Sequence, residues 1–136
     1  MARVSGAAEG ASATLRAAAL AALREIAVTR VFDGTAPRAA VPYALLRELA
    51  ATDWGSKTHD GRELRLGVTI RDEGESGARA ERLAAAAEAA LLALPPLAGA
   101  WQVVSVAPVR LALVAEAPAR WAALVDVRVR MLRAGD

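Results

Sequence analysis

Cysteine is absent from the chain, so neither disulfides nor thiolate metal sites can form, and the redox compartment is not written in the sequence. Lysine is nearly absent as well: Lys57 is the only one, and arginine supplies the other basic side chains. The pI is about 9.9, but the formal net charge of +2 is too small to mark a nucleic-acid binder. The abundance of alanine and arginine is what GC-rich coding produces. Long apolar runs are also missing, since 17–23 and 89–94 fall far short of the roughly 18 residues that suggest a membrane span. No export signal is expected, because Glu9, Arg16, Arg24 and Glu25 interrupt the alanine-rich stretch after Arg3.

What is present is enough for one domain. A chain of 136 residues can bury about two thirds of the surface its unfolded form exposes. The clearest local signal is at 64–70, where Leu64, Leu66, Val68 and Ile70 fall on one side of a strand and Glu63, Arg65, Thr69 and Arg71 on the other. A less regular strand over 43–49 precedes it: Leu45 and Leu49 share a face with Arg47 while Leu46 lies opposite, a pattern suited to a sheet edge or a subunit contact. Between the two, Thr52, Asp53, Gly55, Ser56, Thr58, Asp60 and Gly61 are turn formers, which predicts a long-looped antiparallel hairpin with Trp54 at its tip.

Residues 1–11 are expected to fray. Ser12 is positioned to cap a helix whose stripe is Leu15, Ala19, Ala22, Leu23 and Ile26. Residues 28–41 read as an ordered loop or a pair of short turns, anchored in the core by Val31 and Phe32. A second helix is predicted over 76–94, with Leu83, Ala87, Leu91 and Leu94 as its stripe and Asp72, Glu73 and Glu75 favouring its N-terminus; Pro95 and Pro96 end it. Residues 101–114 read as extended, with Pro108 at a bulge or an edge, then a turn at 116–119 and a last strand from Trp121 that alternates Ala123, Val125, Val127, Val129 and Met131 against Asp126, Arg128 and Arg130. The expected fold is α+β, a two-layer sandwich with a mainly antiparallel four-stranded sheet and two helices on one face, in the order α-β-β-α-β-β.

Most candidate chemistry is weak. Ser56, His59 and Asp60 share one five-residue turn, whereas a catalytic triad takes its members from separate elements around a central base. GSKT at 55–58 lacks the glycines of a phosphate-binding loop and is followed by a strand. Asp72, Glu73 and Glu75 lack the spacing of a calcium loop. The outward strand faces carry Arg65, Arg71, Arg128 and Arg130, but without the interleaved aromatics of a single-stranded nucleic-acid platform, and with Glu63 and Asp126 among them; solvation or inter-subunit ion pairing is the better reading. Trp54 either folds back over the sheet or meets a partner, where tryptophan is enriched among hot spots.

The pattern Val31-Phe32-Asp33-Gly34, then Pro42-Tyr43, then Thr52-Asp53-Trp54 with Ser56-Lys57-Thr58, Asp60-Gly61-Arg62-Glu63 and an alternating strand resembles the small tail-completion, or tail-terminator, proteins of long-tailed bacteriophages and the related gene transfer agents. The final turn departs from that family's Asp-Gly type, having Ala117-Pro118 instead. The resemblance implies a structural protein without enzymatic activity or cofactor. Six copies would form a ring at the head-proximal end of a tail tube, binding the tube protein and a head connector or stopper, with DNA passing through the lumen and no membrane involved. Such a protein is assembled in the bacterial cytoplasm and resides in the particle. The side chains expected at subunit or partner contacts are Trp54, Lys57, Thr58, His59, Arg62, Arg65, Arg128 and Arg130. The alternatives are another ring protein of the head-to-tail junction and, from a different class, a nucleic-acid-binding α+β module using the arginine face.

Overall fold

A computed structural model describes residues 2–97 and 99–134. Its elements are α1 (Ala2–Leu23), β1 (Val31–Asp33), β2 (Tyr43–Asp53), β3 (Gly61–Glu73), α2 (Ala78–Leu92), β4 (Trp101–Ala117) and β5 (Arg120–Arg133). The strands form one five-stranded sheet in the order β1-β2-β3-β5-β4. All neighbours are antiparallel except β1 and β2, which are parallel. The fold is therefore α+β with two helices as expected, but the sheet is mixed and has a fifth strand, giving the order α-β-β-β-α-β-β.

The extra strand is the segment expected to be loop. Val31, Phe32 and Asp33 pair with Ala44, Leu45 and Leu46, and the Phe32 ring meets Tyr43 edge-on with centroids 5.6 Å apart. Three residues followed by Asp33-Gly34 carry no period long enough to read, so the anchoring role of Val31 and Phe32 was visible and the strand was not.

The dry face of the sheet is the one the alternation marks. Leu64, Leu66, Val68 and Ile70 lie opposite Val129, Val127, Val125 and Ala123 in register, all fully buried. Leu15, Ala19 and Leu23 of α1 and Leu83, Ala84, Ala87 and Leu91 of α2 complete the same core. Alanine-rich stripes leave little side chain between helix and sheet, so the helices approach closely while keeping high helix propensity.

Several boundaries differ from expectation, beginning with the hairpin, where β2 runs on to Asp53 and β3 starts at Gly61, taking in Thr52, Asp53 and Gly61 of the expected loop. Helix α1 begins at Ala2, ten residues ahead of the cap expected at Ser12, so the backbone expected to fray continues the helix. Ala11 is fully buried, and Trp101 packs close beside Gly10, which gives this part of the helix a surface to rest on. Helix α2 starts at Ala78 behind Gly77, which has no side chain to cap it, and Ser76 Oγ accepts the Ala78 N–H at 3.1 Å instead. Asp72 is tied to its first turn directly: the nearly buried carboxylate accepts Arg79 Nε at 2.8 Å and Nη2 at 2.6 Å. That hydrogen bond is the main reason its pKa lies below the usual aspartate value. Finally, β4 is longer than expected and β5 returns through a turn at Pro118-Ala119, where Ala119 takes a φ of 61° in place of the glycine or asparagine that usually fills such a position.

Candidate assembly surfaces

Irregularity in β2 organises the polar side of the sheet. The strand's pairing with β3 shifts between Leu46 and Glu48, so Arg47 sits at a bulge and the residues after it change phase. This is the physical cause of the broken alternation at 43–49. The Arg47 side chain lies across the sheet: its guanidinium donates to Val68 O at 3.1 Å and to Thr69 Oγ1 at 3.0 Å, and it reaches Asp126 on β5. Arg110 of β4 approaches the same carboxylate at 3.5 Å. The clasp thus spans β2, β3, β5 and β4. It passes directly over Gly67, where a Cβ would come within 2.8 Å of Arg47 Cζ and 2.9 Å of Asp126 Oδ1.

Next to the clasp, Glu63 accepts Arg130 Nε at 2.9 Å and has Arg128 Nε at 4.0 Å. Arg130 lies over the Trp54 ring at 5.2 Å from its centroid. Trp54 therefore folds back onto the sheet and remains half-buried, which joins the two readings of it: one ring face is taken by Arg130. Arg65 stands opposite Arg128 in register, a like-charge pair with Glu63 at 4.0 Å from Arg128, and among the described residues Arg128 Nε is buried without a hydrogen-bond partner. Trp54, Arg65, Arg128 and Arg130 thus make one patch.

The other expected contact residues lie elsewhere. Lys57, Thr58 and His59 are exposed at the tip of the loop 54–60. That loop is held by Ser56 N donating to His59 O at 2.8 Å, by the Ser56 hydroxyl accepting the His59 N–H at 3.2 Å, and by Asp60 O accepting Arg133 N–H at 2.8 Å. The His59 ring bonds Thr58, Nδ1 to Oγ1 at 3.0 Å. Arg62 turns to the other side, over the Trp101 ring at 5.6 Å, and donates to Gly61 O at 2.8 Å. Among the described residues no three His, Asp or Glu side chains come together as a metal site, and no helix is long and apolar enough to cross a membrane.

At the opposite end of the sheet, the loop 34–42 and the β4–β5 turn border an open cleft of about 700 Å³ lined by Arg38, Tyr43, Arg71, Glu116, Arg120 and Trp121, among others. Arg71 and Glu116 are ion-paired across it, and Trp121 Nε1 donates to Gly74 O at 3.0 Å. The cleft's lining residues come chiefly from the loop 34–42, β3 and the β4–β5 turn, too far apart in the chain for a local pattern to mark it. Strand β2 has eleven residues, so the loops at its two ends are separated by about 35 Å.

The family model described as "Tail completion protein gp17" matches residues 12–132 of the chain. No curated protein matches it. Among solved structures, a chain from the virion of a native gene transfer agent particle superposes with a TM-score of 0.68, at 22% identity, covering 88% of this chain and 96% of that one; at this identity the likeness speaks for the fold.

Proposed function

The chain belongs to the tail completion protein gp17 family, and from that premise we propose that it is a structural tail terminator of a phage-like or gene-transfer-agent particle. Copies of the chain, six in our reading, form a ring on the head-proximal end of the tail tube. The ring stops tube growth and offers the head connector a surface to dock on, while DNA passes through its lumen without sequence-specific contacts. No catalysis or cofactor is involved.

The observation that carries this reading, beyond membership itself, is the separation of two chemically different loop clusters. A tube made of stacked rings presents the same heterologous surface at every step and has no intrinsic stop. A terminator must match that surface on one side and lack it on the other. Here one end of the sheet carries the hydrogen-bonded loop 54–60 with Lys57, Thr58, His59 and the adjacent Trp54 patch. The other carries the loop 34–42 and the cleft with Arg38 and Arg120. The two ends are different enough to bind different partners.

A nucleic-acid module is less well supported. Arg47, Arg71 and Arg130 are engaged with Asp126, Glu116 and Glu63, leaving few free cations on the sheet face to neutralise phosphates.

Deleting the gene tests the proposal. Filled heads without tails are expected, together with free tails that are overlong or unstable. Particles with attached tails of normal length in the deletion strain would rule the terminator out, and a particle lacking only the connector layer would point to the neighbouring junction protein instead.

A further inference from the structure

Both edges of the sheet are open, and they differ. Strand β4 has β5 on one side and, among the described residues, no strand on the other over its seventeen residues. Among the described residues, strand β2 is covered by β1 only at Ala44–Leu46, which leaves residues 47–53 without a neighbouring strand on that side. Exposed strand edges are templates for further pairing, and proteins that must stay single guard them with lysine or other charge. Here such guards are sparse: Pro108 with its bulge and Arg110 on β4, and Glu48 and Asp53 on the open part of β2. On β4 the side chains of Val104, Val109, Leu113 and Val114 are 51%, 43%, 36% and 43% exposed, and the only charged residue from Trp101 to Ala115 is Arg110. The open part of β2 presents Ala50 and Ala51, both exposed.

Resting on the ring reading above, we infer that the subunit seam is made by edge pairing: β4 of one copy adds to residues 47–53 of β2 in the next. Four observations favour this occupant. A β4–β4 contact related by a two-fold axis would place Pro108, which has no N–H, and the neighbouring bulge near the middle of both strands. The short β2 edge avoids that conflict, since it fits the part of β4 on either side of Pro108. Charge also agrees. The open part of β2 offers Glu48 on the outer face, and β4 offers Arg110 on the same face, its side chain 58% exposed although it stands 3.5 Å from Asp126. Direction agrees as well, because β4 runs opposite to β2 within the sheet, so a copy carried round in the same orientation brings the two edges together antiparallel. Finally, a contact between two different edges is heterologous and propagates to a ring, whereas an isologous one ends at a dimer.

The cysteine-free chain allows a clean test by disulfide trapping. Two double variants place a thiol on each side of Pro108: Val104→Cys with Ala51→Cys, and Val114→Cys with Ala50→Cys, Val114 and Ala50 both lying on the outer face, opposite Ala122 and Arg65. Assembly is followed by electron microscopy, thermal unfolding is compared with the parent chain, and the protein is then oxidised. A ladder of covalent multimers from one double variant, absent from every single variant, is the expected result. Loss of rings in a double variant with unchanged thermal unfolding also supports the seam, since the substitutions are then harmful only between copies. Rings that form but give no ladder from either double variant overturn edge pairing and leave the ring reading standing. A covalent dimer from Val104→Cys or Val114→Cys alone shows β4 meeting β4 and overturns it too. A parent chain that stays monomeric when concentrated and when mixed with tail tubes, with no ladder from any variant, overturns both readings.

Discussion

The two faces of the sheet are built by the same strands and obey different physics. On the helix side, Leu64, Leu66, Val68 and Ile70 meet Val129, Val127, Val125 and Ala123. On the other side, Glu63, Arg65, Gly67, Thr69 and Arg71 meet Arg130, Arg128, Asp126, Leu124 and Ala122. The first set is held by burial, which is non-directional and indifferent to which apolar partner is found. The second is held by directed contacts that run across several strands, from Arg47 through Asp126 to Arg110. A change on the first face is felt through lost volume. A change on the second is felt through the particular pair it breaks.

Adjacent residues of β3 give the sharpest test of that contrast. Leu66→Ala removes a fully buried side chain and is expected to cost about 3 kcal/mol, in the range of large-to-small core changes. Arg65→Ala removes an exposed side chain opposite Arg128 and should change stability by less than about 0.5 kcal/mol, with the sign favouring the variant if like-charge repulsion is felt. Urea unfolding of the two variants measures both. Equal losses would mean that the outer face is as tightly constrained as the core.

The contrast also explains what the sequence could tell. A period of two marks the dry face of β3 and β5 because every second residue must be apolar whatever lies across from it. The helices follow for the same reason, apart from their starts. The clasp was not legible, because Arg47, Gly67, Asp126 and Arg110 lie far apart in the chain and meet only once the strand order β2-β3-β5-β4 is known. Its trace was nonetheless present as the phase break at Arg47. Among the expected contact residues, Arg62 and Arg65 are three apart on one strand and so face opposite ways. One lies over Trp101 and the other on the arginine patch. The grouping of Trp54 with Arg130 depends on the loop folding back over the sheet, which a string of turn formers does not specify.

A smaller effect is expected at Trp54. Its contact with Arg130 is partly solvated, so Trp54→Ala should lower the stability of the isolated chain by only about 0.5–1 kcal/mol. If the ring's remaining exposed surface meets a neighbouring copy or the tube, assembly should weaken by about 2 kcal/mol or more, as for other interface hot spots. Thermal unfolding of the monomer and the concentration dependence of ring or tube assembly separate these terms. A large loss of monomer stability with assembly unchanged would assign Trp54 to the fold alone.

The finest probe is Gly67, the position where the two faces are coupled through the clasp. Its backbone belongs to the core strand, while the space above it is filled by the Arg47–Asp126 pair. Gly67→Ala puts a methyl group into that space. Arginine is long and can move aside, so the expected cost is the displaced pair rather than a backbone distortion, about 1 kcal/mol. The mechanism can be separated from generic overpacking by a double-mutant cycle. In an Arg47→Ala background the obstructing guanidinium is gone, so Gly67→Ala should become close to neutral, and the coupling between the two substitutions should account for most of the single-variant cost. If Gly67→Ala costs the same in both backgrounds, the obstruction is not the Arg47 guanidinium but Asp126, whose Oδ1 also lies within 2.9 Å of the added Cβ, or β3 itself.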